Sequence, residues 1–201
     1  MESSSVSAKQ ARSISKWLTW IQLGVAGILL ISFSTLGVLY PENIRSPATI
    51  HSSIGILTTL ISGYLGHRAF AIIRGGRMTI EPLRQLTTGL AGLCAVSVLA
   101  GDWLYISYQI QAQHYIQAWV QQRSYFFHQA LMDFKPLIGW FPLPLSVAAA
   151  FILWQYGDAT GKSRHLSLIV GILLALVWMY VLMSLILGLD LTKIRLASLL
   201  D

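Results

Sequence analysis

Apolar residues occur along this chain in long runs that short polar stretches separate. The runs cover about residues 17–40, 48–73, 85–108, 126–156 and 165–189. Each holds the ~20 residues that an α-helix needs to cross a hydrocarbon core of about 30 Å. A soluble fold has no core large enough to bury so much continuous apolar surface. The pattern therefore predicts an all-α, polytopic transmembrane helical bundle of about five spans.

The first and last runs divide the chain into three parts. Residues 17–189 form the predicted transmembrane helical domain, residues 1–16 an N-terminal tail and residues 190–201 a C-terminal tail. The first run is longer than the apolar part of a signal peptide, which has about 7–15 residues, and no A-x-A-like site follows it. We therefore expect a spanning helix there and not a cleaved signal.

The fourth run has a composition that one straight helix does not suit. It is too long for a single span and contains Pro136, Pro142 and Pro144, which remove helix hydrogen bonds or kink the helix. We expect a short helix, a break, and then a spanning part that ends near Tyr156. The polar stretch before this run, residues 109–125, has no Gly or Pro, and this favours a continuation of the third helix beyond the bilayer.

Composition supports the membrane assignment and limits other classes of function. Charged residues make up 11% of the chain, and the single cysteine, Cys94, excludes an intrachain disulfide or a thiolate metal cluster. The net charge of +6 comes from basic residues that are scattered between the apolar runs. Because they form no dense basic patch, they indicate membrane topology, with lipid as the partner, and not nucleic-acid binding.

The positions of the basic residues predict the orientation of the chain. Cytoplasmic loops carry an excess of Lys and Arg. With five spans and a cytoplasmic N-terminus, the outer side holds Arg45, Arg123, Lys193 and Arg195, and Lys135 lies near it. The inner side then holds the larger set, which consists of Lys9, Arg12, Lys16, Arg68, Arg74, Arg77, Arg84, Lys162 and Arg164. The asymmetry places the N-terminus in the cytoplasm.

Four histidines lie at the ends of the predicted spans. His51 begins the second run and His128 begins the fourth, both on the outer side, whereas His67 ends the second run and His165 begins the fifth, both on the inner side. Neutral imidazole is a good iron ligand, and haem iron accepts two axial ligands from facing helices. Small residues share the helix face of His51 and leave room for a flat ring, namely Gly55, Thr58, Ser62 and Gly66.

The sequence around these histidines is "TIHSSIG", "YLGHR", "SYFFHQA" and "SRHLSL". Their placement resembles that in membrane cytochromes b, including the di-haem four-helix family that passes electrons across membranes. The resemblance covers the second to fifth runs. It implies that His51 and His128 ligate an outer haem b and that His67 and His165 ligate an inner one, with quinone or a redox protein as the partner. One departure is that sixteen residues turn a helix by about 160°, so His51 and His67 point to nearly opposite sides.

Other interpretations of the same residues remain open. Small-residue stripes on membrane helices commonly mediate helix packing, so the chain is alternatively a cofactor-free assembly factor or accessory subunit that packs against other membrane subunits. Chlorophyll also takes a histidine ligand. His114 and His128 with Asp133 form a further candidate, for zinc, although no tight H-x₃-H spacing supports it.

Asp102, Asp133 and Lys135 are charged residues inside the apolar runs. Asp102 is in the third run and the other two are in the fourth, and charged groups at membrane depth are costly unless they are paired. Because the two runs are antiparallel neighbours, we expect an ion pair between Asp102 and Lys135, with a proton relay through Asp102 beside His51 or His128 as the alternative. The chain contains no G-x-S-x-G, H-E-x-x-H or Walker-type motif.

Overall fold

The computed structural model describes residues 28, 31–32, 35–36, 38–40, 43, 45–76, 79–119 and 123–197, with the side chains at 108, 111–129 and 190–197 left out. This part of the chain is helical and contains no strand. The helices after residue 44 are α1 (Arg45–Ile73), α2 (Ile80–Trp119), α3 (Arg123–Trp140), α4 (Pro142–Tyr156), α5 (Asp158–Lys162) and α6 (Arg164–Ala197).

Four helical segments in the described part of the chain are long and apolar enough to cross a membrane. They are Arg45–Ile73, Ile80–Ser107, Ala130–Tyr156 and Arg164–Leu189. They correspond to the second to fifth predicted runs, and they support an integral membrane protein. Most of the first run and the tail 1–16 lie outside the described residues. The count of five spans and the cytoplasmic N-terminus therefore stay predictions.

The regions between the predicted spans agree in part with expectation. The third helix extends beyond its apolar part, which ends at Ser107, to Trp119. The fourth run divides into α3 and α4 at Phe141, whose backbone keeps right-handed helical angles (φ −61°, ψ −37°). Pro136 lies inside α3 and Pro142 begins α4. The second part ends at Tyr156, as expected, and a kink at the prolines stays a prediction.

The helices α1 and α6 are antiparallel and meet through glycines. A Cβ added to Gly66 of α1 would lie 2.8 Å from Cγ of Trp178 on α6. A Cβ added to Gly171 of α6 would lie 2.9 Å from a side-chain carbon of Ile73 on α1. Because lipid supplies no hydrophobic force between helices, such close backbone contact is an important source of stability. Helix α4 packs against α2 and α6 on the other side of the bundle.

The apolar core occupies one half of the described bundle. We call the half that contains the α1–α2 turn (Arg74–Gly76) the proximal half and the opposite half, with the start of α1, the distal half. The core cluster lies in the proximal half and near the middle, and consists of Leu65, Ala69, Ile72, Leu83, Leu90, Cys94, Ala149, Leu153, Val170, Leu174, Val177 and Val181. In the described part of the distal half, the buried apolar residues are Pro47, Ala100 and Ile138.

Arg164 joins α6 to the end of α1. Its guanidinium donates hydrogen bonds to the carbonyl oxygens of Ile72 (3.2 Å) and Ile73 (2.7 Å). Carbonyls in the last turn of a helix have no partner within the helix, so a neighbouring cation satisfies them well.

Replacing Arg164 with alanine is expected to lower the free energy of unfolding by about 1.5 kcal/mol, a typical value for a hydrogen bond to a charged group. Thermal unfolding in a mild detergent, followed by circular dichroism, measures the change. Arg68→Ala is the matched control, because Arg68 contacts only Tyr64 on the exposed face of α1. A stabilised Arg164→Ala variant would mean that the unfavourable position of a cation in the first turn of α6 outweighs the cap.

Candidate functional site

The distal half contains a group of polar side chains from three helices. We call this group the distal polar cluster and define it as His51 on α1, Asp102 and Tyr105 on α2, and Asp133, Lys135 and Trp140 on α3. Three of its members were predicted from sequence as candidate site residues, namely His51, Asp102 and Lys135.

His51 has a defined orientation against α2. Its Nδ1 lies 2.9 Å from the backbone carbonyl oxygen of Ser97. A carbonyl oxygen only accepts hydrogen bonds, so Nδ1 carries the proton in the neutral ring and donates it to Ser97. Nε2 then keeps its lone pair. Histidines that ligate metals commonly donate their second ring nitrogen to a carbonyl in the same way.

Glycines shape the space on both sides of the His51 ring. A Cβ added to Gly101 would lie 3.1 Å from Cε1 and 3.2 Å from Nδ1 of His51, so the absence of a side chain at position 101 lets the ring lie against α2. At Gly55, one turn after His51, an added Cβ would meet no described atom within 4 Å. Among the described residues, the helix face of His51 therefore borders open space at Gly55.

Lys135 extends from α3 toward α6 and toward His51. Its Nζ would lie 3.5 Å from a Cβ added to Gly188 on α6. The charge of the ammonium acts on His51. Both side chains are half-buried, and they lie in the same part of the bundle.

Asp102 and Lys135 do not form an ion pair with each other in this structure, which describes both side chains. The carboxylate of Asp102 instead lies next to the indole of Trp140 on α3. As the sequence predicted, Asp102 and Lys135 lie in the same half of the bundle, at a similar depth along the helix axes. The rotation of each helix about its axis, which the sequence pattern does not define, determines that Trp140 and not Lys135 meets Asp102.

Tyr105 and Asp133 form a second contact between α2 and α3. The Tyr105 hydroxyl donates a hydrogen bond of 3.1 Å to Oδ1 of Asp133. Asp133 is exposed on the bundle surface, whereas Asp102 is partly buried. The distal polar cluster therefore extends from the interior to the side of the bundle that faces lipid.

The two inner histidines are not brought together. The contacts of Gly66 with Trp178 and of Gly171 with Ala69 define the antiparallel register of α1 and α6. In that register His67 lies level with residues 173–177, so His165 is eight to twelve residues away, or about 12–18 Å along the helix axis. Both side chains are also exposed. Their geometry does not fit ligation of one shared iron.

The side chains of His128 and His114 lie outside the described residues. On the backbone, His128 precedes Lys135 by seven residues of α3, which corresponds to about 10 Å along the axis. In the part of the chain that the structure describes, no group of three or more His, Cys, Asp or Glu side chains could hold a metal ion. The pairing of His51 with His128, and the zinc alternative, stay untested.

Several contacts of the site could not be identified from sequence. The acceptor for His51 is a backbone carbonyl, and every residue has one, so no residue type indicates it. The sequence "LAGDWLY" did contain a signal in Gly101, which permits a close contact between helices. Tyr105 gave no comparable signal, because an aromatic residue near a span end is also expected at the membrane interface.

Comparison of the chain with family models, with curated proteins and with solved structures finds no match. The functional argument therefore rests on the geometry of the chain itself.

Proposed function

We propose that this chain is an integral membrane b-type haem protein that transfers electrons within or across the bilayer, with His51 as one axial ligand of the haem. The observation that carries the proposal is the orientation of His51. Its Nδ1 is directed to the Ser97 carbonyl, and Nε2 is left as the nitrogen that can bind iron.

The surroundings of His51 support a flat, apolar ring with a polar edge. Gly55 leaves space on the same helix face, and the apolar core cluster lies in the opposite half of the bundle. A haem held here would be ligated by His51, and Lys135, in the same half of the bundle, could pair with its carboxylates. The second ligand is proposed to be His128, which lies on α3.

The proposal is limited to one haem. The resemblance to di-haem cytochromes b implies a second haem between His67 and His165, but these residues are exposed and separated along the helix axes. A haem supplies one-electron chemistry when it is bound. The chain's own residues fix the ligand orientation, the charge around the iron and the access of electron donors.

Electron exchange with a quinone is consistent with the exposed edge of the cluster. The Tyr105 hydroxyl and the Asp133 carboxylate meet where the bundle faces lipid. A hydroxyl and a carboxylate can donate and accept hydrogen bonds to the carbonyl and hydroxyl groups of a quinone. We include quinone as the proposed partner on this basis.

A reduced-minus-oxidised visible spectrum tests the proposal. The protein is purified in mild detergent from cells supplied with a haem precursor, and the spectrum is expected to contain the absorption bands of a b-type haem at about one haem per chain. Extraction of the pigment into acidic acetone distinguishes non-covalent haem from chlorophyll. A protein that is folded and colourless after reconstitution with haem would refute the proposal.

The alternative, a cofactor-free accessory subunit, has its own supporting observation. Gly89 and Gly92 lie on the exposed face of α2, and a Cβ added to either would meet no atom within 4 Å. Such a face allows a helix of another subunit to approach closely. A colourless protein that co-purifies with other membrane subunits would favour this function.

A further inference from the structure

A cavity lies at the proximal end of the bundle, away from the distal polar cluster. Its volume is about 550 Å³, and it is lined by Thr79, Ile80, Glu81, Arg84, Gly157 and Asp158. One spanning segment begins at Ile80 and another ends at Tyr156. The cavity is therefore located where the apolar spans meet the membrane surface, which is the depth of phospholipid headgroups.

Arg84 provides a fixed positive charge in this cavity. Its guanidinium is ion-paired with Glu81 and lies 4.1 Å from the centre of the Trp154 ring. The Trp154 indole is held in turn by a hydrogen bond of 2.8 Å to the Thr88 hydroxyl. Nε of Arg84 is buried and has no hydrogen-bond partner among the described residues.

The N-terminus of α2 forms another part of the cavity wall. The first backbone N–H groups of a helix have no partner within the helix, and phosphate groups bind well to such groups. Thr79, the residue before the helix, adds a hydroxyl. Together with Arg84, these donors form a site for a phosphodiester.

The opposite wall is acidic. Asp158 lines it and forms no ion pair with a described residue, whereas Glu81 lies on the α2 wall and is already paired with Arg84. Gly157 has a φ of +43° and no side chain, so it leaves the space next to Asp158 free. A carboxylate in this position suits a cation that can donate hydrogen bonds, such as a primary ammonium group.

An apolar surface leads from the cavity toward the membrane interior. Val147, Phe151 and Trp154 follow one another along one face of α4 and are 49%, 56% and 56% exposed. An acyl chain could lie along this face. The cavity thus combines an acceptor for an ammonium group with donors for a phosphodiester, and an apolar face leads from it. A phospholipid has the same three parts, which are its ammonium group, its phosphodiester and its acyl chains.

We propose that this cavity binds a zwitterionic phospholipid with a primary ammonium headgroup, phosphatidylethanolamine. The phosphodiester binds at Arg84 and the N-terminus of α2, and the ammonium group binds Asp158. This site is independent of the haem proposal, because it lies at the other end of the bundle. Phosphatidylcholine has a trimethylated nitrogen that cannot donate hydrogen bonds, so it should bind more weakly.

Lipid titration of the full-length protein in mild detergent, followed by native mass spectrometry, measures the selectivity. Phosphatidylethanolamine is expected to bind about tenfold more tightly than phosphatidylcholine or phosphatidylglycerol with the same acyl chains, which corresponds to about 1.4 kcal/mol. Asp158→Asn should remove the preference over phosphatidylcholine. Asp133→Asn, the same substitution at the other end of the bundle, should leave it unchanged.

Each alternative outcome contradicts the proposal in a different way. Equal affinity for phosphatidylethanolamine and phosphatidylcholine would show that the acidic wall does not recognise the ammonium group. A preference for phosphatidylglycerol would identify a general anion site at Arg84. An unchanged preference in Asp158→Asn would exclude this cavity as the selective site. The comparison of two lipids within each variant cancels any general effect of the substitution on folding.

Discussion

Replacing His51 with alanine is expected to abolish the haem absorption bands of the purified protein. The alanine side chain supplies no ligand, and the imidazole that the Ser97 carbonyl orients is lost. With one haem supplied per chain, we expect no haem absorption from this variant, because one axial ligand is absent and not only misaligned. Visible difference spectroscopy on protein matched by mass measures it.

The controls for this variant come from the same chain. His67→Ala and His165→Ala remove exposed imidazoles that lie far apart in the α1–α6 register, so both variants should keep the full absorption. His128→Ala should lose it if His128 is the second ligand. Circular dichroism and elution as a single species show that each variant is folded. Full haem content in folded His51→Ala would exclude His51 as a ligand.

A smaller change at Gly101 tests the orientation of the ring separately from its presence. The added methyl group of Gly101→Ala would lie 3.1–3.2 Å from the His51 ring, which must then move by a few tenths of an ångström. Changes in the surroundings of a ligand typically cost about 10–100-fold in metal affinity. Haem should therefore remain bound but dissociate more readily to an apo-haem acceptor protein than it does from the native chain.

The positions of the helices were predictable because they depend on a simple property of the chain. An apolar run must be about 20 residues long to cross the bilayer, so its length fixes where a span can lie. The second and fifth runs accordingly match α1 and α6 closely. The fourth run divides into two helical segments at Phe141, next to Pro142, which supplies no N–H, and a kink there stays a prediction.

The arrangement of side chains across helices was less predictable. Sequence position gives depth in the membrane, and it placed His51, Asp102 and Lys135 in the same half. It does not give the tilt or the rotation of each helix, which depend on the shapes of the packed side chains. The contact of Asp102 with Trp140, and the separation of His67 from His165, are consequences of this second kind of information.

Replacing Gly66 with alanine is expected to destabilise the bundle by about 1–3 kcal/mol, the usual cost of overpacking a close contact. The new Cβ would lie 2.8 Å from Cγ and 3.0 Å from Cβ of Trp178. A flexible side chain could turn away, but the Cβ of Trp178 moves only when the backbone of α6 moves. Helix α6 must therefore shift away from α1, which weakens the whole seam between them.

Gly89→Ala is the matched control, because position 89 has no described neighbour within 4 Å and lies inside α2, nine residues after its start. Alanine has a helix propensity up to about 1 kcal/mol better than glycine, so this variant should be unchanged or more stable. Thermal unfolding in detergent measures both variants, and for a protein of this size each 1 kcal/mol shifts the midpoint by about 2–4 °C. If Gly66→Ala lowers the unfolding midpoint and Gly89→Ala raises it, the effect of the contact between helices is distinguished from the effect of helix propensity.

A double variant shows whether the Gly66 effect comes from Trp178. If the clash is the cause, Trp178→Ala should cost less in the Gly66→Ala background than in the native chain, with an interaction energy of about 0.5–3 kcal/mol. Additive effects would mean that Trp178 moves aside without strain. In that case the small residue at position 66 would serve another purpose, and the α1–α6 seam would depend mainly on the contact between Gly171 and Ile73.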